Sequence, residues 1–171
     1  MSDSKRKMIE GWIDKASNQL QAAEKHLSTY IQYSESIQAA QECIELAVKA
    51  VLVILNIEFL PSHEWKPDKK EFAGIAHQIQ ERQLLDKLAK QYLDNAVRLP
   101  RLLLLMNFWA QFYITAKYGF EAEYLASAKD LFGKEEAELA VQHAKECLSA
   151  ANLLRYLEKE RLASLVSTKA G

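Results

Sequence analysis

Apolar residues recur along this chain at steps of one, three or four positions over stretches of twenty residues and more, and no other feature constrains its fold as strongly. Trp12, Ile13, Ala16, Leu20, Ala23, Leu27 and Tyr30 form one such stripe, which predicts a helix over about residues 5 to 29. A second stripe holds Ile37, Ile44, Val48, Val51, Leu52 and Leu55. Ser34 precedes it as an N-cap, and Asn56, which tolerates the left-handed conformation of a helix end, follows it. The spacing predicts a helix over about 35 to 55. Its valines and isoleucines favour strands, but a segment of this length without alternation is not a strand, so period outweighs propensity. Residues 57 to 70 hold two of the three prolines and read as a loop. A less regular helical region is expected from about 71 to 95, followed by Leu102 to Tyr118, a central helix apolar enough to need cover on most sides. Ala137, Ala140, Ala144, Cys147, Leu148, Ala151 and Leu154 mark a final long helix that fades into a polar tail, Ser167 to Gly171.

Five glycines and three prolines in 171 residues are too few for the turns of a sandwich or barrel. The expectation is an all-α fold: an antiparallel up-and-down bundle of four long helices plus a shorter helix. It forms one domain over residues 1–171, with a core of about 8 to 160. Lys and Arg (22) nearly cancel Asp and Glu (23), so no bulk positive field exists to hold nucleic acid or an anionic membrane. The longest unbroken apolar run in Leu102 to Tyr118 is five residues, whereas a membrane span needs about 20. No apolar stretch follows the basic residues of MSDSKRKMIEGW, which excludes a secretory leader there. Cys43 and Cys147 lie in separate helical patterns without a metal-ligand set around them and read as reduced, helix-packed thiols. These features together suggest a cytoplasmic protein with no membrane association.

Metal and phosphate-loop chemistry find no support. The residues three before His26, His63, His77 and His143 are Ala23, Leu60, Gly74 and Ala140, so the Glu-x-x-His of di-iron bundles is absent. His63-Glu64-Trp65-Lys66-Pro67 has proline where a zincin has its second histidine. No two glycines lie closer than fourteen residues, which rules out glycine-rich nucleotide loops. No metal and no cofactor is expected.

The text QAAQECIELAVKAVLVILNIE, followed by Ser62 and His63, is the most informative in the chain. Trp12, Ala16, Leu20 and Ala23, then Glu45, Lys49 and Ala50, then His63 in a loop, together resemble the HEPN domain, the higher-eukaryote and prokaryote nucleotide-binding family. Tyr113-Ile-Thr-Ala-Lys117-Tyr118-Gly119 is similar to the Tyr-x-x-x-Arg-Tyr-Pro with which family members end their penultimate long helix. The resemblance covers about residues 8 to 160 and implies a helical bundle that pairs as a homodimer through its long helices. It also implies a small nucleotidyltransferase as partner in a toxin-antitoxin type of system. Many members resemble metal-independent RNases that need an Arg and a His with four to six residues between them, so that the His falls five to seven positions after the Arg, acting around the scissile phosphate. This chain lacks that pair. Its best-placed candidate, Arg101, is followed at those positions by Met106, Asn107 and Phe108, and an amide cannot shuttle a proton near neutral pH. Lys117 in place of Arg also loses the bidentate fork that suits phosphate.

The expected function is therefore that of a HEPN-like, non-catalytic protein binding a nucleotide, RNA or a nucleotidyltransferase partner. The alternative is a divergent metal-independent RNase using Arg101, with Asn107 or a distant histidine such as His63, across a dimer cleft. Glu45 and Lys49, four apart, read as a surface pair worth about 0.3–0.5 kcal/mol that flanks the apolar stripe, with a structural role favoured over a site. His63 either contacts a ligand phosphate or caps a neighbouring helix. Asn107, Gln111, Thr115 and Tyr118 fall within about 80° on a continuous helix, a polar seam that faces water or lines a pocket. Asn107, Gln111 and Tyr118 of this seam, with Lys117, complete the candidate binding residues, while His77 and His143 read as stripe-edge residues. Seven of the sixteen aromatics lie between Phe108 and Tyr124 with a single basic residue among them, which suits packing or a homodimer surface better than base stacking.

Overall fold

The computed structural model describes residues 3–59, 69–118 and 127–167. Their regular structure is entirely helical: α1 (Asp3–Lys25), α2 (Tyr33–Ile54), α3 (Lys69–Glu81), α4 (Leu84–Lys90), α5 (Leu99–Ala110), α6 (Tyr113–Tyr118), α7 (Ala128–Leu131), α8 (Lys134–Arg155) and α9 (Lys159–Val166). A π-helical turn, His26–Tyr30, extends α1 and ends at Ile31, whose φ of 55° is left-handed. No helix among the described residues is long and apolar enough to cross a membrane.

The centre is α2, packed along its length against α1 and α8. The alanines of the two flanking stripes, Ala16 and Ala23 on α1 and Ala137, Ala140, Ala144 and Ala151 on α8, are fully buried. Small side chains there let the neighbouring backbones approach closely. The β-branched residues of α2, Ile37, Ile44, Val48 and Val51, fill the space between, also fully buried. Packing on several sides explains why a helix can carry so strand-like a composition.

Cross-helix pairs fix the directions. Ser36 Oγ donates to the Ala23 carbonyl at 2.8 Å, Lys15 pairs with Glu42 at 2.5 Å, and Lys5 Nζ donates to Asn56 Oδ1 at 2.9 Å, so α1 and α2 are antiparallel. Lys145 with Glu24 at 2.6 Å and Arg155 with Asp14 at 3.0 Å make α1 antiparallel to α8 as well. It follows that α2 and α8 run parallel, and they touch directly where Cys43 Sγ points at the Ala144 carbonyl, 3.8 Å away. Pairs between Arg101 and Glu146 and between Trp109 and His143 set α5 against α8 in the opposite sense.

Three elements differ from the sequence expectation. The central helix is not continuous to Tyr118: it begins at Leu99, with Pro100 in the first turn where a missing N–H costs nothing, and breaks after Ala110. The N–H groups of Gln111 and Phe112 reach back only three residues, to Phe108 and Trp109, at 3.3 and 3.0 Å, and α6 starts afresh. The region from 71 to 95 is two helices, α3 and α4, parted by Gln83 at φ 48°. The final long helix stops at Arg155, and α9 then packs on α4. Arg82 fastens this end, its guanidinium donating to the carbonyls of Leu55 (2.7 Å), Asn56 (2.9 Å) and Val166 (3.4 Å), while Lys87 Nζ donates to the Ser167 carbonyl at 2.6 Å. Side chains from the α3–α4 region thus satisfy carbonyls that α2 and α9 leave open at their C-terminal ends.

Candidate functional site

Gln41, Glu45 and Lys49 follow one another at intervals of one turn on α2, and all three are buried. Lys49 Nζ lies 2.6 Å from Glu45 Oε1, and Gln41 Nε2 donates to Glu45 Oε2 at 3.2 Å. The expectation of a surface pair is corrected here. Glu45 is 9% and Lys49 5% exposed, because α2 is covered on the sides that a helical wheel assigned to solvent. Removing two charges from water is costly, and the short ion pair and the amide of Gln41 offset that cost.

The second polar cluster joins α5 to α8. Arg101 Nε donates to Glu146 Oε1 at 2.6 Å, and both side chains are about one-third exposed. This hydrogen bond is the main reason the Glu146 carboxyl is held below its ordinary range, with help from the nearby charges of Arg98 and His143 and against the effect of burial. One turn earlier on α8, half-buried His143 accepts a hydrogen bond at Nδ1 from Trp109 Nε1, at 3.0 Å. An indole N–H only donates, so Nδ1 carries the lone pair and the ring proton sits on Nε2. Burial lowers the His143 pKa, and the Arg101 charge lowers it further. Around the cluster Phe108, Trp109, Phe112 and Phe132 form a chain of tilted and edge-on ring contacts, with centroids 5.1–6.3 Å apart. Beside it, Arg98 and Arg101 border a pocket of about 340 Å³ between α4 and the start of α5.

The cluster brings together residues that the sequence kept apart. A histidine does lie beside Arg101, but it comes from another helix, forty-two positions away. A readable trace of it existed in His143-x-x-Glu146, whose spacing puts both on one face of α8.

Among the described residues the remaining candidates are spread over α5, the break after it and α6. Asn107 is half-buried on α5, while Gln111 is exposed at the break after it. Thr115 and Lys117 belong to α6, where Lys117 is exposed and its Nζ sits 5.7 Å over the Tyr113 ring. With the helix broken at 111 and 112, the proposed polar seam does not run along one helix face. The Tyr118 side chain and all of His63 lie outside the described residues. Gln38 ties α6 to α2 by donating to the Ala116 carbonyl at 2.9 Å. Both thiols are free and buried, and burial pushes Cys43 up to about 12 and Cys147 higher still, which leaves them unreactive near neutral pH.

The family model of the HEPN domain matches residues 9–156, most of the chain. No curated protein and no solved structure gives a match.

Proposed function

The chain belongs to the HEPN domain family, and on that premise we propose that it is a non-catalytic member that acts by binding a nucleotide, an RNA or a protein partner. HEPN domains are generally concerned with nucleotides and RNA and often act in toxin-antitoxin systems. The observation that carries the non-catalytic reading is the Arg101–Glu146 pair. The residue best suited to grip a scissile phosphate already holds a carboxylate at 2.6 Å, and its own helix supplies no histidine at the spacing RNases of this family need. A small nucleotidyltransferase is the partner class this reading favours, in the cytoplasm. Residues 1–171 act as one domain.

Homodimerisation belongs to the same proposal. Leu104 (61% exposed) and Phe108 (44%) on α5, with Leu139 (42%) on α8, leave apolar surface on helices that carry the polar cluster. Light scattering on the purified protein tests the dimer. Thermal shift with nucleoside mono- and triphosphates and with short RNAs at millimolar concentration tests the ligand class. A monomer that responds to none of them and captures no nucleotidyltransferase from its own cells would replace the proposal with a plain helical scaffold.

The neighbourhood of Arg101 and His143 favours one second reading, a divergent metal-independent RNase. His143 takes the place there of Asn107 or His63 as the group that moves a proton. That reading requires Arg101→Ala and His143→Ala each to abolish RNA cleavage with helicity intact.

A further inference from the structure

Two features of the α4–α5 pocket remain unused by the structure. Arg101 spends only its Nε on Glu146; among the described residues its two terminal nitrogens donate to no other group. Arg98, exposed on the same rim, has no hydrogen bond or ion pair among the described residues. A guanidinium offers five N–H donors in a planar fork that matches phosphate oxygens. Most of the remaining lining is apolar, made by Leu85, Leu88, Val97, Leu99 and Pro100, with Leu85 45% exposed. Asp94 is the one acidic residue lining the pocket, and Glu146 stands behind Arg101. At about 340 Å³ the space is at the lower end of what small-molecule sites enclose.

We propose that this pocket is a site for a phosphate monoester carrying a flat apolar group, in which Arg98 and the free end of Arg101 hold the phosphate and Glu146 competes with it for Arg101. The ester's ring lies on Leu85 and Leu88, and its dianion faces the two guanidinium groups. Glu146 then serves as an internal counter-ion that keeps Arg101 positioned and neutralised while the site is empty, and it weakens binding by placing a like charge behind the ligand. The inference rests on the binding reading above and gives it a place and a ligand class.

The test is isothermal titration of the full chain with phenyl phosphate and, separately, with inorganic phosphate. Glu146→Gln keeps the shape of the side chain and removes its charge, so phenyl phosphate is expected to bind on the order of tenfold more tightly than to the original protein. Arg98→Gln and Arg101→Gln, each made in the Glu146→Gln background, should abolish that gain. Leu85→Ser should weaken phenyl phosphate and leave inorganic phosphate unchanged. Circular dichroism melting confirms that each variant folds. Should Glu146→Gln fail to fold, Arg98→Gln in the original background must still weaken phenyl phosphate. The proposal is overturned if Glu146→Gln binds no more tightly than the original, if its binding survives loss of either arginine, or if no variant binds. It fails separately from the broader reading: an original protein inert to every nucleotide and RNA, with a Glu146→Gln variant that binds phenyl phosphate, would sink the nucleotide reading and keep the pocket.

Discussion

Replacing Lys49 by Met removes one half of the most deeply buried ion pair on α2 and keeps the aliphatic length of the side chain. The Glu45 carboxylate, in a residue 9% exposed, is then left with the Gln41 amide but without the cation 2.6 Å away. Breaking a buried pair by removing one partner costs about 3–5 kcal/mol, and the retained amide places this case near the lower end, about 3 kcal/mol. That is a large share of the roughly 5–15 kcal/mol that separates folded from unfolded chains. For a domain of this size each kcal/mol moves the midpoint by about 2–4 °C, so the melting temperature should fall by roughly 6–12 °C. Urea titration followed by circular dichroism reads the same loss as a shift in midpoint with an unchanged slope. The double variant Glu45→Leu/Lys49→Met leaves no orphaned charge and should recover most of the loss, ending about 1 kcal/mol short of the original because the buried Gln41 amide loses its acceptor. The four proteins form a cycle whose coupling term isolates the pair. A Lys49→Met variant within about 0.5 kcal/mol of the original, the size of an exposed helix pair, would refute the reasoning.

Arg82→Met removes the donors that hold the Leu55, Asn56 and Val166 carbonyls and should cost about 2 kcal/mol. Hydrogen exchange should show it first in α9, and an unchanged exchange rate there would count against the fastening role. Ile31 is a β-branched residue in the left-handed region and 60% exposed, so Ile31→Gly should stabilise the protein by about 1 kcal/mol, with a rise in melting temperature as the check. The groups that couple this cluster to pH are His143 and Glu146, with Arg101, Arg98 and Trp109 facing them. The His143 pKa is lower folded than unfolded, so the unfolded chain binds more protons and stability falls as pH drops below about 6.5. The Glu146 pKa is also depressed, and its contribution, present above the ordinary carboxylate range, is lost as pH falls through the lowered value. Arg101→Ala should move the Glu146 carbon resonance titration upward and raise the His143 pKa, both measurable by NMR; titrations that do not move would contradict the geometry.

Periodicity carried much of the fold because burial and helical spacing are the same information. The stripes of α1, α2 and α8 appear in the text one turn after another, and their bounds fall within a few residues of the expectation for α1 and α2. The break at Gln111 and Phe112 left no such trace, since neither glycine nor proline marks it and the apolar pattern runs straight through. The division at Gln83 and the turn ahead of α9 escaped for the same reason: a polar residue, not glycine, takes the left-handed position at 83, and α9 is held by side chains from a distant part of the chain. The site was less legible than the fold. Glu45 and Lys49 were visible as a pair, but their burial depends on what covers α2, which a helical wheel does not contain. His143 reaches Arg101 from a neighbouring helix, a proximity that spacing along the sequence does not encode.

Glu146 holds Arg101 at 2.6 Å, and the proposed role is binding without cutting. The direct test mixes the purified, folded protein with end-labelled RNA in the presence of a chelator, with Arg101→Ala and His143→Ala alongside. The RNA is expected to stay intact with all three proteins over hours. Cleavage that withstands the chelator and disappears in the Arg101→Ala variant would contradict the proposed role and establish a metal-free RNase in its place.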